Sequence, residues 1–136
     1  MTVNLDELEV GVQEVMDYTR FTGAFAQNLR EVVRRKMTVQ AAREKGLEVT
    51  DEELQKAADV FRTVNNLTTA EQTTNWLQGR GLDLDTLENY LEANLLIYKF
   101  KEALFQEADQ QKLLSLPAVQ ESLREMAYQE WLSKNV

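Results

Sequence analysis

Ala41-Ala-Arg-Glu-Lys-Gly-Leu-Glu-Val-Thr-Asp-Glu-Glu-Leu54 reads as a helix stop, a short linker and a helix start. Gly46 supplies the left-handed residue that closes a helix without a Cβ penalty. Thr50 and Glu53 have capping-box spacing: the hydroxyl can accept from the third amide while the carboxylate reaches back to the cap amide. Asp51, Glu52 and Glu53 also place negative charge at the positive end of the helix dipole. Before the stop, Phe25, Leu29, Val32, Val33, Met37 and Ala41 trace one apolar face, predicting a helix from Ala24 of about 22 residues, roughly 33 Å long. After the start, Leu54, Ala57, Ala58, Phe61 and Val64 recur at the spacing of a buried face, and Asn65-Asn66 ends that helix.

Further along, Thr68 or Thr69 starts a short helix containing Trp76 and Leu77, which Gly79-Arg-Gly81 closes. Asp85 with Glu88 reads as a second cap, opening a helix from Thr86 to about Leu113. Its apolar positions (Leu87, Tyr90, Leu91, Leu95 and Tyr98, with Ile97, Phe100 and Leu104 further round) lie on two sides. Such a helix is expected to be central, with neighbours on both. Ser115 and Pro117 mark a fresh start, and a last helix from Pro117 to about Ser133 carries Val119, Leu123, Met126, Ala127 and Trp131. Towards the N-terminus, Leu5, Leu8, Val12, Val15 and Met16 suggest a short helix from about Asp6 to Asp17. Gly11 inside it costs roughly 1 kcal/mol relative to Ala. The alternation Leu8, Val10, Val12 leaves a strand over Leu8–Val15 as the alternative. Tyr18-Thr-Arg-Phe-Thr-Gly23 is expected to be an extended linker.

The 136 residues carry a net charge of −8, from 23 acidic and 15 basic side chains. That balance disfavours non-specific binding to nucleic acid or anionic lipid. The sequence holds no cysteine and no histidine, one proline and five glycines. Disulfides, thiolate metal sites, thiol nucleophiles and histidine-dependent triads are therefore excluded, and no cofactor or metal is expected. Asp83, Asp85 and Glu88 lack the glycine and distal glutamate of a calcium loop, and capping explains them. Ser115, Ser122 and Ser133 have no histidine to activate them. The expected fold is all-α: one domain over residues 1–136, a compact bundle of about five helices with the last packing back on the core. Residues 1–23 form its N-terminal helix and linker, 24–113 its core and 114–136 its C-terminal helix. The acidic start has no apolar segment of signal-peptide length, and no run approaches a membrane span of ~20 residues. A cytoplasmic protein with no membrane insertion is the expectation.

Residues 29–105 resemble the N-terminal chaperone domain of SurA-like, parvulin-type peptidyl-prolyl isomerases. The resemblance rests on a long helix followed by Gly46-Leu-Glu-Val-Thr-Asp-Glu-Glu-Leu54, then Asn65-Asn66-Leu67, then Gly81-Leu-Asp-Leu-Asp-Thr-Leu87 leading into another long helix. Ala57-Ala58-Asp59-Val60-Phe61-Arg62 and Trp76-Leu77-Gln78 look most like cyanobacterial members. Val119 to Leu132 is similar to the helix that follows the isomerase domain in those proteins. The catalytic domain itself would have to fit between Phe105 and Pro117, which is too short, and its histidines have no counterpart. The resemblance thus implies a non-enzymatic, chaperone-like binder of unfolded or precursor polypeptides, connected with secretion or peptide maturation. An accessory subunit of an isomerase system, or a homo-oligomeric adaptor such as a homodimer, is the alternative.

Trp76, Tyr90, Tyr98, Phe100 and Trp131 are the candidate peptide-binding residues, because amphipathic aromatics make good anchors. The competing reading of each is a core position. Arg30, Arg34, Arg35, Lys36, Arg43 and Lys45 gather on one helix. In so acidic a chain they read as a solvated surface paired with carboxylates rather than as a phosphate site.

Overall fold

The computed structural model describes residues 2–5 and 8–135. Within them the chain is all-α apart from one antiparallel hairpin. Strand β1 (Thr2–Leu5) pairs with β2 (Leu8–Gly11), Thr2 facing Gly11 and Leu5 facing Leu8. Seven helices follow: α1 (Val12–Thr22), α2 (Ala24–Glu44), α3 (Asp51–Val64), α4 (Ala70–Gln78), α5 (Leu84–Glu107), α6 (Gln110–Leu114) and α7 (Pro117–Asn135). The chain forms two compact units, Met1–Phe100 and Lys101–Val136, and the division falls inside α5.

The ends of α2, α3 and α4 are built alike. Behind α2 the Leu47 amide donates to the Ala42 carbonyl at 3.0 Å and the Gly46 amide to Arg43 at 2.9 Å. Gly46 there has φ 84°. The same pair of bonds closes α3, from Leu67 to Arg62 and from Asn66 to Thr63, with Asn66 at φ 57°. It closes α4 from Leu82 to Leu77 and from Gly81 to Gln78. Each is a Schellman stop, and each needs one left-handed residue, which glycine or asparagine supplies at low cost.

The starts follow the same economy. Thr50 Oγ1 accepts from the Glu53 amide at 3.1 Å, and Glu53 Oε1 accepts from the Thr50 amide at 3.1 Å. Thr69 and Gln72 form an equivalent box at the head of α4. Removing the α3 cap by Thr50→Ala is expected to lower stability by about 1 kcal/mol. The measurement is the shift in urea midpoint at constant slope.

Three expectations are corrected. First, the expected helix from Asp6 begins only at Val12, because Leu8–Gly11 pairs with β1. Asp6 itself lies outside the described residues. The strand alternative holds as far as Gly11, which is extended (φ −86°, ψ 150°) and precedes the helix instead of interrupting it. Second, Tyr18–Thr22 is helical, not an extended linker. Nothing before Gly23 breaks the helix, and the hydroxyls of Thr19 and Thr22 are satisfied within it, donating to the carbonyls of Met16 (2.8 Å) and Thr19 (3.2 Å). Third, α5 is capped by Asp83, not by Asp85 with Glu88. Asp83 Oδ1 accepts from the Thr86 amide at 2.8 Å and from its hydroxyl at 2.7 Å. That helix also stops at Glu107, short of Leu113. Asp109 restarts the chain by accepting from the Lys112 amide at 3.2 Å, which makes α6 a separate turn.

In the first unit α5 is central, as its two-sided apolar pattern predicts. Leu87 and Leu91 of α5 join Leu77 of α4 in a buried cluster, against which Leu54, Ala57, Ala58 and Phe61 of α3 and Trp76 of α4 pack. Ala42 of α2 and Leu96 of α5 are also buried. Helix α2 is tied to α5 by Arg43 Nη2 to Glu92 Oε1 at 2.9 Å and by Arg35 Nη1 to Asn94 Oδ1 at 2.8 Å. Helix α3 is tied to it at the other side by Lys99, whose ammonium lies 2.8 Å from Glu53 and 2.6 Å from the Glu48 carbonyl. In the second unit no described side chain is fully buried. There α7 stacks Trp131 on Tyr128, with ring centroids 6.3 Å apart.

Candidate functional site: two grooves along α5

Because α5 lies between α2 and α3, each of its flanks forms a groove with one neighbour. The α2–α5 groove holds about 950 Å³. Val32, Val39, Tyr90 and Ala93 give it apolar walls, and Arg35, Lys36, Arg43, Glu44 and Glu92 give it charged edges. The α3–α5 groove holds about 700 Å³ and is more apolar, with Ala57, Val60, Phe61, Val64, Leu91 and Leu95 in its walls and Glu53 and Lys56 at its edges. Tyr90 lines both.

The ridge between the grooves is a small polar cluster. Arg35 lines the first groove and donates to Asn94, which lines the second. A weaker bond runs from Arg35 Nη2 to the Tyr90 carbonyl at 3.5 Å, and the guanidinium carbon lies 5.1 Å from the Tyr90 ring centroid. All of these partners are neutral. Arg43, by contrast, is neutralised by Glu92.

The apolar walls are open to solvent. Val60 is 57% exposed, Val64 73%, Val32 50% and Tyr90 52%. Leu29, Val33 and Met37, on the apolar face expected of α2, are exposed as well. The hydrogen bonds that tie α2 to α5 leave from Arg35 and Arg43, and Leu29, Val33 and Met37 stand on the other side of α2 from Arg35.

The five candidate aromatics are placed differently from one another. Trp76 is half-buried in the core wall, edge-on to Phe61 (centroids 5.3 Å, planes 88° apart) and covered by the Arg80 guanidinium at 3.7 Å. Tyr90 is at the junction of the grooves. Tyr98 is exposed two turns further along α5, and Phe100 is half-buried near it in sequence. Trp131 belongs to the second unit. The grooves thus gather one of the five. Arg35 was foreseen only as part of a basic run, and Asn94 was not foreseen. Its signal is a lone amide inside the apolar stretch Ala93-Asn94-Leu95-Leu96-Ile97, where a polar side chain needs a partner.

Glu53 joins the cap of α3 to the wall of the second groove. The Lys99 ammonium and then the Thr50 amide hold its carboxyl below its ordinary value of 4.5. Hydrogen bonds from the Thr86 hydroxyl and amide likewise hold Asp83 below its ordinary value of 3.8. A depressed carboxyl binds fewer protons folded than unfolded, so its contribution is present above the ordinary value and is lost as pH falls through the folded one. Unfolding midpoints in urea should therefore be flat down to about pH 5 and fall towards pH 3. Glu53→Gln keeps a capping side chain but removes the charge, and should flatten part of that acid limb.

Among the described residues no group of three acidic side chains is arranged to hold a metal ion, and no helix is long and apolar enough to cross a membrane. No protein-family model, curated protein or solved structure matches this chain.

Proposed function

We propose that this chain is a chaperone-like binder of unfolded or precursor polypeptides, using the two grooves along α5 and performing no chemistry on what it holds. The observation that carries this reading is the pair of apolar grooves whose walls stay open at Val32, Val60, Val64 and Tyr90. Open apolar clefts of this kind offer a place for another chain to dock. The reading is the one implied by the resemblance to SurA-like chaperone domains, and with it go a cytoplasmic setting and a role beside separate prolyl isomerases.

Suppression of aggregation of a model unfolded protein at equimolar ratio is the test, together with peptide titration calorimetry. Binding of apolar-rich peptides with slowed aggregation is expected. Neither effect appearing would sink the reading.

A homodimeric adaptor is the second reading, and one observation favours it. Residues 101–135 contain no buried side chain yet expose Leu104, Phe105, Leu114, Leu116, Leu123, Met126 and Trp131. A unit of this size does not sustain itself without a partner surface. Light scattering after size-exclusion chromatography decides it, since a tight dimer dispersed by Leu123→Asp would favour self-association through this unit.

A further inference from the structure

The ridge between the grooves carries an unneutralised cation in an acidic protein. Arg35 is half-buried, and its recorded partners are the Asn94 amide oxygen, the Tyr90 carbonyl and the Tyr90 ring, none of which bears charge. A guanidinium has five N–H donors, and these contacts use two. The same contacts hold the fork in place, so little further entropy is lost when it takes another acceptor. Two more cations stand at the groove edges, Lys36 at the first and Lys56 at the second. Neither makes a hydrogen bond or ion pair among the described residues. The carboxylates at the groove edges are Glu92, paired with Arg43, Glu53, paired with Lys99, and Glu44. A partner with a carboxylate would therefore find in Arg35 a fixed, partly desolvated donor that no carboxylate already occupies, between two apolar clefts.

We propose that the two grooves hold a single segment of a partner polypeptide, with an apolar side chain in each groove and a carboxylate on Arg35 between them. This rests on the polypeptide-binding reading above and narrows it to acid-bearing apolar segments. Carboxylate is the group a planar guanidinium matches best, by paired N–H donors. Asp or Glu inside a segment and a chain's terminal carboxylate share that chemistry.

The test uses the full chain and synthetic peptides with identical apolar residues and Asp, Asn or Lys at the central position. A further pair lacks the central acid and ends in a free carboxylate or an amide. Calorimetry on the wild type should rank Asp above Asn by about tenfold or more, the size of a charge-assisted hydrogen bond, with Lys weakest. The Asp preference should disappear in Arg35→Gln, and Arg35→Lys should keep part of it, retaining the charge without the fork. Lys36→Gln should reduce it by no more than about threefold, as for a rim charge. Circular dichroism and the urea midpoint establish that each variant is folded. Equal binding of the Asp and Asn peptides together with equal binding of the free-carboxylate and amide peptides, or a preference that survives in folded Arg35→Gln, would overturn the proposal while leaving polypeptide binding intact. Failure of every peptide to bind would remove the broader reading and this one with it. A preference confined to the free C-terminal peptide would assign the carboxylate to chain ends, and one confined to the Asp peptide to internal acids.

Discussion

Leu77→Ala is expected to lower the free energy of unfolding by about 3 kcal/mol, within the range of 2–5 kcal/mol usual for a buried leucine. Leu77 is 2% exposed and forms the buried cluster with Leu87 and Leu91, into which Leu54, Ala57, Ala58, Phe61 and Trp76 pack. Truncation removes apolar burial and leaves a cavity where α3, α4 and α5 share one cluster, so relaxation by one helix strains the other two. Few other side chains can compensate, because among the described residues the buried apolar ones are Ala42, Leu77, Leu87, Leu91 and Leu96. Small domains have about 5–15 kcal/mol in all, and so thin a core places this chain towards the lower end. The variant should therefore show a broadened, early thermal transition and a urea midpoint well below that of the wild type. Leu123→Ala is the control: Leu123 is 43% exposed on α7 and should cost less than about 1 kcal/mol unless a partner covers it. A Leu77→Ala variant within 1 kcal/mol of the wild type would show that the cluster does not hold the first unit together.

The helix boundaries were legible where a side chain writes them locally. Gly46, Thr50 with Glu53, Asn65-Asn66 and Pro117 each act within four residues of themselves, so single-sequence reasoning reaches them. The cap of α5 was misplaced by two residues because Asp83 and Asp85 both offer a carboxylate. Only the backbone after the Gly81 stop decides which of them faces the Thr86 amide. Helix α1 was misjudged for a related reason. Threonine and aromatic side chains have middling helix propensity, and the back-bonds of Thr19 and Thr22 cannot be seen in a spacing pattern.

The grooves were less legible than the helices. Periodicity says which face of a helix is apolar but not whether a neighbour covers it, so the apolar face of α2 was legible while the exposure of Leu29, Val33 and Met37 was not. The two-sided pattern of α5 did foretell a central helix. What it could not show is that α2 and α3 stand far enough apart on its flanks to leave clefts, a spacing that depends on Arg35–Asn94, Arg43–Glu92 and Lys99–Glu53. Those pairs join residues 46 to 59 positions apart, beyond any local rule.

Tyr90→Ala should weaken peptide binding by more than tenfold, whereas Tyr98→Ala should change it less than about twofold. The two tyrosines make a matched pair: same helix, both exposed (52% and 68%), and both candidate anchors by composition. They differ in place. Tyr90 lines both grooves and lies against the Arg35 guanidinium, while Tyr98 lines neither groove. A central aromatic bordering two clefts has the character of a hot spot, for which truncation costs about 2 kcal/mol or more, or roughly thirtyfold in affinity. Its loss also frees Arg35 from one of the contacts that orient it, so part of the effect should reside in the discrimination between Asp and Asn peptides. Neither substitution should lower stability by more than about 1 kcal/mol, because an exposed ring contributes little to the core. Equal losses from both variants would place binding along the outer surface of α5 rather than in the grooves. A larger loss from Tyr98→Ala would move the site towards the end of α5 beyond the clefts, and the assignment of Tyr90 and Arg35 to polypeptide recognition would fail.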